Sequence, residues 1–168
     1  MSIKLFNLKL SFTILMTFIL IVCQELPNAR KAYIDASKSQ KNAESFYDLM
    51  ANYNHENEVL LAYKGASIAL KAKYAKQIKL KKSFFIEGVT FIEKSLKKEP
   101  NNIETRLIRL SIQENSPKIL NYKSNIEEDK KIILINFDKQ NQSLKVFIKD
   151  YIQQSTIFSE KEKKSILN

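Results

Sequence analysis

Arg106, Arg109 and Gln113 form the most specific chemical pattern in this chain of 168 residues. At 100° per residue they fall on one flank of a helix spanning 103–115. Two planar guanidiniums and an amide on one flank suit carboxylates, phosphates or peptide groups. The spacing admits two readings. The arginines bridge to carboxylates of neighbouring helices, with Glu104, Glu114 or the Glu127–Glu128–Asp129 trio as partners. Alternatively the flank lines a groove and recognises an anionic or peptide ligand. Arg106, Arg109 and Gln113 are therefore the candidate binding residues.

Other reactive residue types are sparse. The single histidine, His55, lies in the polar turn 52–57. A lone imidazole there makes neither a metal cluster nor a general base. A Ser–His–Asp set is compatible with the composition, but no serine stands in a glycine-rich nucleophile turn. No glycine-rich loop is present to cradle a phosphate. The acidic trio has the chemistry for a hard cation, yet its place at a helix start favours the simpler role of opposing the helix dipole. The expectation is a protein without metal, cofactor or enzymatic activity.

The N-terminus bears on location. Lys4 and Lys9 precede an apolar stretch, 10–22, that ends at Cys23, the only cysteine. A charged start, a short apolar middle and a small residue read as an export signal. The apolar run of about 13 residues falls short of the roughly 20 needed to span a bilayer. Residues 1–23 thus read as a signal peptide and 24–168 as one domain, exported to the periplasm or the extracellular space. Two processed forms compete. Leu20-Ile21-Val22-Cys23 resembles a bacterial lipobox, which implies lipidation at Cys23 and a membrane anchor there. Val22 departs from it, since Gly, Ala or Ser is usual at that place. In the other form signal peptidase cuts after Cys23. In either case the body holds no thiol pair and relies on its core alone.

The body must be helical. Gly 2 and Pro 3 are too few for a fold built on tight turns. The net charge of +10 is concentrated: ten lysines stand between Lys64 and Lys98 against only Glu87 and Glu93. Lysines on a solvated helix face explain such a run. The alternative is a surface for anionic lipid head groups or lipopolysaccharide; nucleic acid is not expected.

The apolar periodicities give the elements that must position these groups. One long helix is expected over 29–52 and a second over 59–78, with a small-residue face of Ala62, Gly65, Ala66, Ala69 and Ala72. Gly65 inside a helix signals a close crossing by a neighbouring backbone. A third helix covers 82–98 and a fourth 103–115. The fourth carries two apolar arcs, Ile103–Leu107–Leu110 and Ile108–Ile112, and so is sandwiched between neighbours. Ser124 and Glu127 form a capping-box pattern opening a fifth helix through Ile135. Leu144, Phe147, Ile148, Tyr151 and Ile152 mark a sixth. Ser159 and Glu162 cap a short tail helix expected to fray.

Gly88, Ile92, Ser95 and Pro100, followed by a new helix, resemble the second half of a tetratricopeptide repeat. The first half matches poorly: Ile68 stands where tyrosine is usual, and Gly65 to Gly88 does not fit the 34-residue period. The resemblance covers about a quarter of the chain and implies stacked antiparallel helix pairs with a binding role. The segment 103–131 is also similar to uncharacterised exported bacterial helical proteins. The combined expectation is an all-α array of stacked antiparallel hairpins, tetratricopeptide-like in part. It would act as a non-enzymatic interaction module for another envelope protein or peptide, the runner-up being contact with a membrane surface.

Overall fold

The structure is a computed structural model and describes residues 25–53 and 57–167. The expected signal segment with Cys23, and His55, lie outside the described residues. The chain forms α1 (25–36), α2 (Gln40–Ala51), α3 (Glu58–Tyr74), α4 (Ile78–Lys98), α5 (Ile103–Asn115), α6 (Ile126–Asn136), α7 (Gln142–Gln154) and α8 (Glu160–Leu167). Two short 3-10 turns, Lys118–Leu120 and Phe137–Lys139, lie in the connections. No strand occurs among the described residues. The architecture is all-α, with antiparallel hairpins stacked in series.

Two apolar cores meet at α5. Ile108 and Ile112 join a core built from α1 to α4, around Phe46, Tyr63, Ala66 and Ile92. Ile103, Leu107 and Leu110 join a second, around Ile133, Phe147, Ile148 and Ile152. The two arcs of α5 thus face two different cores, which is why the helix is apolar on opposite sides. Tyr33 of α1 touches both cores. Its ring packs near Phe46, Tyr63 and Phe147 at 5.6–6.3 Å between centroids.

The chain's two glycines face each other where α3 crosses α4. A Cβ on Gly65 would stand 2.5 Å from the Gly88 carbonyl oxygen, and one on Gly88 would stand 2.5 Å from the Ala69 amide nitrogen. Nothing larger than hydrogen fits, so the small face read from the sequence is a backbone-to-backbone contact.

Three local expectations need correction. The helix expected over 29–52 is two helices, broken at Ser37–Ser39. Ser39 is extended, and its hydroxyl accepts from the Asn42 amide as an N-cap. That local bond offers the backbone an alternative to helix continuation. The Ser124–Glu127 capping box does not form: Asn125 precedes α6 without a side-chain cap, and Ser124 Oγ donates to Asn125 Oδ1 instead. The tail helix is not frayed, since Phe158 and Ile166 are buried in the second core. Its Ser159–Glu162 box is formed in both directions.

Candidate functional site

The two arginines of α5 are drawn inward. Arg109 donates to Asp129 through Nε, at 2.7 Å from Oδ2, and through Nη2, at 2.8 Å from Oδ1. Its Nη1 reaches Glu93 of α4 at 3.0 Å. Arg106 donates to the same Asp129 at 2.6 Å, to Glu128 at 2.9 Å and to the Pro100 carbonyl at 2.7 Å. Asp129 is fully enclosed, and both guanidiniums are nearly so. Burial alone would lower the Arg109 pKa; its bonds to Asp129 and Glu93 more than offset this and raise it. The result is a closed network joining α4, α5 and α6.

Gln113 is also enclosed and contacts Asn125 at 3.4 Å. The flank read as a candidate binding surface is therefore the seam between α5 and α6, and the arginines occupy the bridging geometry. The acidic trio divides: Asp129 is the centre of the seam, Glu128 lies at its exposed edge and Glu127 is exposed. The sequence named the trio both for the helix dipole and as a bridging partner of the arginines. The structure shows the bridge and singles out Asp129, the fourth residue of α6, which turns toward α5.

Two further acids named as arginine partners hold other groups. Glu104 accepts from Arg30 at 3.0 and 2.8 Å and from the Tyr63 hydroxyl at 2.6 Å, tying α1 and α3 to α5. Glu114 accepts from the Tyr151 hydroxyl at 2.6 Å, from Ser155 Oγ at 2.9 Å and from the amide and hydroxyl of Thr156 at 2.8 and 2.9 Å. It fastens α5 to the turn after α7.

The α3–α4 hairpin has the opposite character. No Asp or Glu occurs from Val59 to Ile86, a stretch holding Lys64, Lys71, Lys73, Lys76, Lys79, Lys81 and Lys82. The lysines nearer the core have uses. Lys64 Nζ donates to the Tyr53 carbonyl at 2.7 Å. Lys71 Nζ lies 3.7 Å above the Tyr47 ring, a cation–π contact. At the hairpin end Lys73 lies 5.4 Å from the Tyr74 ring centroid. Lys76, Lys79, Lys81 and Lys82 form no ion pair among the described residues.

The same end is uncovered. Residues 76–83 are all exposed, including Ile78 at 84 % and Leu80 at 43 %. The geometry follows from helix lengths. A helix of 21 residues such as α4 spans roughly 31 Å, while α5 with 13 spans roughly 20 Å. The short connection 99–102 turns α5 back along α4 from the far end. Cover reaches Phe85, on which Tyr122 packs edge-on at 5.7 Å. Beyond it α4 overhangs.

Comparison with family models, with curated proteins and with solved structures gave no match. Chemical possibilities therefore rest on the side chains. A hollow of about 110 Å³ beside the hairpin is lined by Gln40, Ala43, Glu44, Lys71, Tyr74 and Ala75. It has room for a few waters. No group of three or more His, Cys, Asp or Glu is gathered for metal binding among the described residues. No described helix is long and apolar enough to cross a membrane.

Proposed function

We propose that this protein is an exported, non-enzymatic helical interaction module, tetratricopeptide-like in its stacking, whose working surface is the free end of the α3–α4 hairpin. One observation carries the reading. The strong charge clusters of the fold on α5 and α6 are answered by an opposite charge inside the molecule, whereas Lys76, Lys79, Lys81 and Lys82 form no ion pair among the described residues. Buried ion pairs and hydroxyl clamps hold the array; these exposed lysines point to something outside it. An acidic or anionic partner surface fits them.

The arginine flank keeps a supporting role in this reading, by fixing α5 and α6 against α4 so that the hairpin projects from a firm base. The test is crosslinking and capture from envelopes of cells that produce the protein. Lys76→Glu/Lys79→Glu/Lys82→Glu should abolish capture at an unchanged melting temperature. Retained capture by that variant would refute the hairpin end as the working surface.

A further inference from the structure

We infer that the end of the α3–α4 hairpin docks on an anionic lipid bilayer, with Ile78 and Leu80 entering the head-group region and the surrounding lysines meeting lipid phosphates. The inference rests on the proposed working surface and names its occupant.

Charge alone would fit any polyanion; the aliphatic side chains decide. Ile78 is the first residue of α4 and is 84 % exposed, and Leu80 two residues on is 43 % exposed. Ile78 continues the stripe that Phe85 and Ile92 bury further along α4, past the point where a neighbouring helix covers it. Residues 76–83, the turn before α4 and its first residues, are all exposed. On a water-facing tip isoleucine and leucine bring nothing, and a nucleic acid backbone offers them no apolar receptor. A bilayer interface takes both groups together: apolar side chains sink to the acyl boundary while lysines flank them at the phosphates. The hairpin supplies no acidic residue from Val59 to Ile86. The carboxylate that the hollow brings beside Tyr74 and Ala75, Glu44 of α2, is outnumbered by the lysines there, so repulsion of an anionic surface is small.

The chain contains no tryptophan. Ile78→Trp in the full-length protein thus supplies a single indole at a solvent-exposed position that the fold does not depend on. Its emission is measured with vesicles of phosphatidylglycerol and phosphatidylcholine, and with phosphatidylcholine alone, each with and without brominated acyl chains. The expected result is a blue shift with bromine quenching on the anionic vesicles only, reversed by salt. Adding Lys76→Gln/Lys79→Gln/Lys82→Gln should weaken tip engagement on the order of a hundredfold, at roughly fivefold per lysine. Several results overturn the inference. The indole stays water-like on anionic vesicles, or is shifted equally by neutral ones. It is already shifted without lipid while sedimentation shows a dimer, so that a second copy covers the tip. It responds to a single-stranded oligonucleotide and not to vesicles. Should the indole stay water-like while the glutamate variant still loses envelope capture, the lipid occupant is wrong and the working surface stands. If neither changes, both fall.

Discussion

The α5–α6 seam and the α3–α4 hairpin end treat charge in opposite ways. At the seam one carboxylate, Asp129, answers two guanidiniums, and all three are buried. At the hairpin end several ammonium groups share a short stretch with no carboxylate. The difference teaches where charge is structural. A buried charge is tolerated only when paired, so the seam holds together as a unit. An exposed lysine needs no partner, so the hairpin end can carry an excess without cost to the fold. The sharpest way to break this comparison is at its centre. Asp129→Ala leaves Arg106 and Arg109 buried without their shared acceptor and should destabilise by about 3–5 kcal/mol. Urea unfolding measures it; a loss below 1 kcal/mol would show that Glu93 and Glu128 suffice. Lysine at both arginines should also destabilise, because an ammonium cannot reproduce the two-pronged contact of Arg109.

The glycine crossing sets the base of the hairpin and comes next in size. Gly65→Ala places a methyl 2.5 Å from the Gly88 carbonyl oxygen, and backbone cannot swing aside as a side chain would. Overpacking should destabilise by about 1–3 kcal/mol despite the better helix propensity of alanine. Gly88→Ala should behave alike, since it meets Ala69 and Gly65 from the other side. A neutral Gly65→Ala would mean the two helices separate easily, and the hairpin would lose its stiffness.

These two regions were not equally legible in the sequence. Gly65 stood out because glycine is rare here and lay in a row of alanines, so composition and period agreed. The double arc of α5 was readable for the same reason, and it locates both cores. The break at Ser37–Ser39 was only hinted at, because the apolar stripe thins there but resumes at helical spacing at Ala43 and the cap rests on a single hydroxyl. The seam was half legible. Arg106 and Arg109 declared their flank, but nothing local says whether a flank faces solvent or a neighbour. That choice is made by where α6 docks, a contact spanning about twenty residues of chain. The open hairpin end was hidden in the same way: the lysine run was plain, yet its exposure depends on α5 being shorter than α4.

A smaller effect tests the periphery of the seam. Burial would raise the Glu114 pKa, but hydrogen bonds from Tyr151, Thr156 and Ser155 prevail and hold it below the ordinary 4.5. A carboxylate with a depressed folded pKa adds stability in full above about pH 4.5 and loses it as pH falls through the folded value. Glu114→Gln should therefore cost about 1 kcal/mol at neutral pH and bring the variant closer to the parent in acid. Unfolding curves at several pH values read this directly. An equal gap between the two proteins at every pH would show that Glu114 acts through shape and not through its charge.

The smallest expected effect belongs to the hairpin end, and its smallness is informative. Lys76→Gln/Lys79→Gln/Lys82→Gln removes three charges that form no ion pair among the described residues. No favourable contact is lost, and repulsion among neighbouring ammonium groups is relieved. Stability should stay within about 0.5 kcal/mol of the parent or rise slightly. The contrast with Asp129→Ala separates the two regions on one instrument: a single seam substitution outweighs three at the hairpin. Added salt sharpens the point. It should narrow any gain of the glutamine variant by screening the parent's repulsion, while the buried seam responds weakly. A loss above 1 kcal/mol in the triple variant would mean that these lysines hold the fold together. The hairpin end would then be structural like the seam, and the reason for assigning it an external partner would be gone.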